Sequence, residues 1–121
     1  MTQISNSKQY DLEDRTLEFA RIVRRFVKAL PKTIATIEDS KQLVRASGSV
    51  GANYIEANES LSKKDFIMRV KVCRKEAKES RYWLKLVDTG DIADLEKERI
   101  FLIGESTELM KIFGAILQKS C

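Results

Sequence analysis

The amino-acid sequence predicts an all-α protein, an antiparallel up-down-up-down four-helix bundle. The 121 residues include only one proline and five glycines, which is too little turn punctuation for a β-sandwich or barrel. Four segments carry apolar residues at spacings of three and four, the spacing of one helix face. Short breaks separate them, so consecutive helices should be antiparallel neighbours. We expect a flexible N-terminal arm over residues 1–10 and one bundle over residues 11–121.

The first predicted helix begins after Asp11 and ends before Pro31. Asp11 is a good N-cap residue. Pro31 ends the helix because the residue before a proline is pushed out of the α region. The apolar stripe between them consists of Leu12, Phe19, Ala20, Val23, Phe26, Val27 and Leu30.

The second predicted helix begins near Thr33 or later and contains Gly48 and Gly51. Its buried seam has the spacing 4-3-4-3-4: Leu43, Ser47, Val50, Tyr54, Ala57 and Leu61. This spacing continues through both glycines, although glycine costs about 1 kcal/mol in a helix interior. We therefore expect another helix to approach there, inside the chain or in a second subunit, with Asn53 bridging polar groups. The same reasoning applies to Gly104 and Gly114.

The third predicted helix begins after Ser62, a capping residue, and ends at the "TGD" segment with Gly90 as its C-terminal glycine. Its seam is Phe66, Val70, Cys73, Ala77, Ser80, Leu84 and Val87. The seam of the fourth helix is interrupted by Arg99. Its members are Ile92, Leu95, Leu102, Ser106, Leu109, Phe113 and Ile116, widened by Ile100, Ile103, Met110 and Leu117.

The overall composition indicates a reduced, cytoplasmic protein. Cys73 and Cys121 form no CxxC motif, and disulfides are rare in that compartment. The polar N-terminal segment does not resemble a signal peptide. No apolar run reaches the length of about 18 residues that suggests a membrane span.

Positive charge is concentrated in the third helix. The net charge is +4, yet residues 63–85 contain nine Lys or Arg against three Asp or Glu, and residues 86–121 contain four against seven. A row of cations flanks the buried seam: Lys64, Lys71, Arg74, Lys78, Arg81 and Lys85. Two interpretations stay open, a solvated helix face and a ladder that follows the phosphates of a nucleic acid.

Three apolar residues of the third helix lie off its main seam. They are Val72, Trp83 and Leu86. They can widen the core of one chain or form a subunit interface, where tryptophan is enriched.

The sequence offers little for catalysis. It contains no histidine, which excludes Ser-His-Asp and Cys-His arrangements. Two ExxE pairs, Glu56 with Glu59 and Glu76 with Glu79, resemble the acidic pairs of all-α nucleotide pyrophosphatases, whose last residue is Asp where Glu79 stands here. Carboxylates at this spacing suit Mg²⁺. The helical phase turns Glu56 and Glu59 outward, however, so we predict no catalytic residue, metal site or cofactor.

Several segments together resemble the four-helix-bundle family encoded in intervening sequences of bacterial 23S ribosomal RNA genes. They are "LP" at Leu30–Pro31, "QLVRASGSVGANYIEANES", "KKDFIMRVKVCRKEAKESRYWLKLV" and "TGD". The resemblance extends over roughly residues 12–118. Its motif positions are Arg45, Asn53, Tyr54, Glu56, Lys75, Glu76 and Trp83.

This resemblance implies a bundle that assembles into rings, with homopentamers known in the family. It also implies similarity to the accessory protein of diversity-generating retroelements, a basic pentameric barrel that binds nucleic acid and a reverse transcriptase. The family has no established enzymatic activity, so the resemblance transfers no catalytic residue.

Three functional hypotheses follow from the sequence. The first is a non-enzymatic, oligomeric protein that binds the backbone of structured RNA or DNA through the third helix. The second is a protein-interaction scaffold without nucleic acid. The third is an Mg²⁺-dependent nucleotide hydrolase that uses the two ExxE pairs.

Overall fold

Residues 11–120, which the computed structural model describes, form a four-helix bundle. The helices are α1 (Leu12–Ala29), α2 (Ile34–Asn58), α3 (Lys63–Leu86) and α4 (Ala93–Ser120). They contact one another in the cyclic order α1–α2–α3–α4, and the contact between α4 and α1 is the sparsest. Because each connection is short, neighbouring helices run antiparallel. The predicted fold class is confirmed. Among these residues, no helix is long and apolar enough to cross a membrane.

Helix α1 has the predicted ends. The Asp11 carboxylate accepts a hydrogen bond of 3.0 Å from the backbone N–H of Glu13, which satisfies one of the free donors of the first turn. Leu30, just before Pro31, is extended with ψ 150°. The face between these ends contributes Phe19, Val23 and Phe26 to the core.

Helix α2 passes through Gly48 and Gly51 without interruption. Its N-cap is Thr33, whose hydroxyl accepts a hydrogen bond of 3.1 Å from the Thr36 N–H. The seam prediction was wrong at Leu61, whose residue surface is 99% exposed. Helix α2 ends before this residue, and the turn to α3 carries Leu61 into solvent.

Helix α3 begins after Ser62, whose hydroxyl accepts from the Asp65 N–H at 3.1 Å. It ends at Leu86, earlier than Gly90. Gly90 and Asp91 instead form the turn into α4, with φ values of +68° and +57°.

The seam prediction for α4 was wrong at two isoleucines. Ile92 precedes the helix, and Ile100 is 68% exposed. At about 100° per residue, Ile100 lies some 200° around the helix from the buried Leu102, so it faces solvent.

Arg99 explains the interruption of the α4 seam. Its guanidinium donates hydrogen bonds to the backbone carbonyls of Leu84, Lys85 and Val87, the last at 2.6 Å. These carbonyls lie at the C-terminal end of α3, where the helix itself supplies no donors. Arg99 therefore caps the neighbouring helix instead of filling the core.

A carboxylate holds Arg99 in place. Glu96 accepts hydrogen bonds from the Arg99 guanidinium and the Thr89 hydroxyl. Both hydrogen bonds lower the pKa of Glu96 below its usual value, and the bond from Thr89 contributes most. The α3–α4 connection is thus tied to both helices that it joins.

Candidate nucleic-acid interface

The outer face of α3 carries exposed lysines. The opposite face is packed into the core by Val70, Cys73, Ala77 and Leu84. No lysine side chain on the outer face forms a hydrogen bond or ion pair with another residue of the described part of the chain. We call this surface the lysine face; its members are Lys64, Lys71, Lys75, Lys78 and Lys85.

The two arginines of the predicted cationic row lie at the border with α4. Arg81 is half-buried, and its guanidinium donates a 3.2 Å hydrogen bond to the Thr107 hydroxyl. Arg74 is exposed, and its guanidinium lies 4.0 Å from where a Cβ on Gly114 would stand. The cationic row predicted from the sequence therefore forms two surfaces in the structure. The lysines form the open lysine face, and Arg74 and Arg81 lie beside α4.

Two residues of this surface were missed by the sequence analysis of the cationic row. Lys75 and Tyr82 are both exposed. Each lies two residues from a buried seam residue, Lys75 from Cys73 and Tyr82 from Leu84, so each points about 200° away from it. The phase of the seam was a sufficient signal for both.

The side of α3 that faces α2 has a different electrostatic character. Arg45 of α2 donates hydrogen bonds to the carboxylates of Glu76 at 3.2 Å and Glu79 at 2.9 Å. Glu76 is almost fully buried, with 7% of its surface exposed. The Arg69 guanidinium also donates to the Asn53 side-chain oxygen at 2.9 Å. Two of the three carboxylates in α3 are thus paired with a cation of α2.

The four glutamates of the ExxE pairs do not form one site. Glu76 and Glu79 bind Arg45, whereas Glu56 and Glu59 line a groove of about 390 Å³ beside the α2–α3 turn. Over residues 11–120, no group of three or more His, Cys, Asp and Glu is placed to hold a metal ion.

The predicted close approach at the glycines of α2 occurs inside the chain. A Cβ on Gly51 would stand 2.8 Å from the Thr16 hydroxyl oxygen and 3.2 Å from the Thr16 Cβ. At Gly48 the nearest atom is the mobile end of Arg24, at 3.3 Å. At Gly104 a Cβ would meet no atom of the described residues within 4 Å, so the expected close approach does not occur inside the chain there. Of the two α2 glycines, Gly51 makes the closer approach to α1.

The remaining predicted contact residues have separate surroundings. Asn53 donates to the Ser49 carbonyl at 2.8 Å. Tyr54 packs its ring at 5.9 Å from that of Phe113, and burial raises its pKa. Val72 and Trp83 are half-buried, and Leu86 is 49% exposed.

Comparison with known families now identifies the bundle. The family model described as "23S rRNA-intervening sequence protein" matches residues 8–115. The chain belongs to this family. A crystal structure of a protein of unknown function from the S23 ribosomal protein family of Bacteroides thetaiotaomicron is also similar, with 31% identity and a TM-score of 0.75. That likeness covers 88% of this chain and 98% of the other. A search of curated proteins finds no match.

The region that matches the 23S rRNA-intervening sequence protein family includes the lysine face and the contacts between α2 and α3. Residues 8–115 include the whole lysine face and the contacts made by Arg45. Among the motif positions, Arg45, Asn53 and Glu76 join α2 to α3. These three positions of the family pattern thus have a structural role in this member.

Proposed function

We propose that this protein binds nucleic acid without being an enzyme, and that the lysine face contacts the phosphate backbone of RNA or DNA. One observation carries the proposal: the lysine side chains of this face are exposed and unpaired within residues 11–120, whereas the carboxylates Glu76 and Glu79 of the same helix are paired with Arg45. Such an arrangement leaves a strip of uncompensated positive charge.

The dimensions of the lysine face support a polyanion as its ligand. At 1.5 Å per residue, Lys64 to Lys85 spans about 30 Å of helix. Phosphates that bind along such a strip release condensed counterions, which is the main source of sequence-independent affinity. Small anions would neutralise only one or two of these lysines.

We also propose that several copies assemble, with a homopentamer as the form that the family resemblance implies. Exposed apolar side chains on α3 and α4 support association: Met68, Leu86, Ile100 and Phe101 are each about half or more exposed. Repetition of one weak lysine face around a ring would increase affinity through avidity. Size-exclusion chromatography with light scattering measures the assembly directly, and the ratio of absorbance at two ultraviolet wavelengths reports nucleic acid that copurifies.

The direct test is charge reversal on the lysine face. We expect the triple variant Lys71→Glu, Lys75→Glu and Lys78→Glu to bind a fluorescent single-stranded RNA about 100-fold more weakly than the unaltered protein at low salt. The matched control reverses three exposed lysines elsewhere: Lys28→Glu, Lys97→Glu and Lys119→Glu. Both variants have the same net charge, so a difference between them reports the location of the charge.

Two results contradict the proposal. One is equal weakening by the two triple variants, because only net charge would then matter. The other is no binding of RNA or DNA by the unaltered protein at low salt. Specific capture of one acidic protein through the lysine face, without nucleic acid, would replace the proposal with the scaffold hypothesis.

A further inference from the structure

An exposed aromatic ring lies on the lysine face. Tyr82 is 58% exposed, although the residue that follows it, Trp83, is half-buried against the core. The two rings meet edge to face, with centroids 5.0 Å apart and planes at 81°. This contact braces the tyrosine ring from one side, so an exposed aromatic surface is held in place at little further entropic cost.

Lysines flank Tyr82 on the same strip of helix. Lys78 precedes it by four residues and Lys85 follows it by three. Residues at these spacings are neighbours on a helix surface. Glu79, three residues before Tyr82, is bound by Arg45. The ring therefore lies between cations whose side chains have no hydrogen-bond or ion-pair partner within residues 11–120.

We propose that Tyr82 is a stacking platform for an unpaired base of a single-stranded nucleic acid, while Lys78 and Lys85 hold the neighbouring phosphates. Aromatic rings between cations along a groove are the usual means of binding single strands, because every base has a face that can stack. The bases of a duplex are already stacked on each other, so the platform favours single strands. This inference rests on the proposed function and adds the class of ligand.

The charges around Tyr82 favour nucleic acid over the same face of a second copy as its occupant. A two-fold contact between identical faces would bring Lys78 and Lys85 of each copy against like charges. A single strand supplies both a ring to stack and the anions to neutralise the lysines, in the order in which α3 presents them.

Two substitutions at this position separate stacking from a structural role. Tyr82→Phe keeps the ring, whereas Tyr82→Leu keeps apolar bulk and helix propensity without it. We expect Tyr82→Leu to weaken binding of an unstructured RNA oligonucleotide roughly tenfold, the usual size of one base stack. Binding of the same sequence as a duplex should be unchanged. Tyr82→Phe should resemble the unaltered protein with both ligands.

The salt dependence gives a second readout. Stacking releases no counterions, so Tyr82→Leu should lower single-strand affinity equally at every salt concentration. Lys78→Gln should instead make the dependence on salt shallower, by about 0.7 in the logarithmic slope for one lost phosphate contact.

Trp83 provides a spectroscopic probe, since it is the single tryptophan of the chain. Its ring is 5.0 Å from that of Tyr82, so a base stacked on Tyr82 should alter Trp83 emission. We expect single-stranded RNA to change this emission in the unaltered protein and in Tyr82→Phe, and duplex RNA to change it much less.

Three results would overturn this inference. Equal loss of single-strand and duplex binding in Tyr82→Leu would leave the proposed function standing but remove the base contact. A changed molecular mass of Tyr82→Leu in light scattering would make Tyr82 a subunit contact. If the unaltered protein binds neither ligand, the proposed function fails together with the inference.

Discussion

The sides of α2 that contact α1 and α3 differ sharply from the outer faces of α3 and α4. In the packed region, Arg45 holds two carboxylates and Gly51 admits Thr16. On the open faces, Lys75 has no partner within the described residues and Gly104 has no atom near its Cβ position. The same kinds of residue thus have opposite consequences in the two regions. The role of a cation or a glycine in one helix therefore depends on what the neighbouring helix places beside it. Matched substitutions in the two regions test this difference.

The largest expected difference concerns thiol reactivity. Cys73 lies in the core, and burial raises its pKa to about 12. In a Cys121→Ser background, Cys73 should react with an aromatic disulfide reagent at pH 8 on the order of 1000-fold more slowly than an exposed thiol of ordinary pKa. Lys75→Cys in the same background is the matched exposed thiol. Similar rates for the two thiols in folded protein would show that the α3 seam is open.

The next largest difference concerns the two cations. Arg45→Ala removes the partner of Glu76, a nearly buried carboxylate, and should lower the free energy of unfolding by about 2 kcal/mol. Lys75→Ala removes no hydrogen bond or ion pair within the described residues and should change the free energy of unfolding by less than about 0.5 kcal/mol. Urea unfolding at one protein concentration measures both. If the two variants unfold at the same denaturant concentration, Arg45 does not hold α2 to α3.

Each glycine substitution should have a smaller effect than Arg45→Ala, and the two should have opposite signs. In Gly51→Ala the new Cβ meets the buried Thr16, and we expect a net loss of about 1–2 kcal/mol from overpacking. In Gly104→Ala the methyl group enters open space, and the better helix propensity of alanine should stabilise by up to about 1 kcal/mol. Thermal unfolding of both variants checks the signs. Stabilisation by Gly51→Ala would contradict a close contact between α1 and α2.

The smallest expected effect is the pH dependence of the stability that Glu96 contributes through its bonds to Thr89 and Arg99. Because the pKa of Glu96 is lowered from 4.5 in the folded protein, its contribution to stability is present above pH 4.5 and is lost as the pH falls through the lowered value. Glu96→Gln should therefore be less stable at neutral pH, and its difference from the unaltered protein should shrink below pH 4.5. Glu108→Gln, at an exposed pair with Lys111, is the control. A difference for Glu96→Gln that stays constant with pH would contradict the account.

The sequence predicted the elements whose causes are local. The predicted caps Asp11 and Ser62 act within one turn of their own helices, and the buried seams follow from helical spacing except at Leu61, Ile92 and Ile100. The role of Arg99 was not predictable in this way, because the carbonyls that it caps belong to a different helix.

The same distinction between causes within one helix and causes in a neighbouring helix explains why only part of the candidate site was predicted. Lys71, Lys78 and Lys85 were found from their spacing, and helical phase alone would have added Lys75 and Tyr82. The engagement of Arg81 by Thr107 depends on how α4 packs beside α3, which spacing along one helix does not reveal. The same holds for the ion pairs of Arg45 with Glu76 and Glu79, which depend on how α2 packs beside α3.

The central claim is that the lysine face, and not the positive charge of the protein in general, binds nucleic acid. Its most direct test is the salt dependence of affinity for one single-stranded RNA, measured for Lys71→Gln, Lys75→Gln and Lys78→Gln combined. The control combines Lys28→Gln, Lys97→Gln and Lys119→Gln. We predict that the first variant has a logarithmic salt slope shallower by about 2, for three lost phosphate contacts, and that the control keeps the slope of the unaltered protein. Equal slopes in the two variants would contradict the claim.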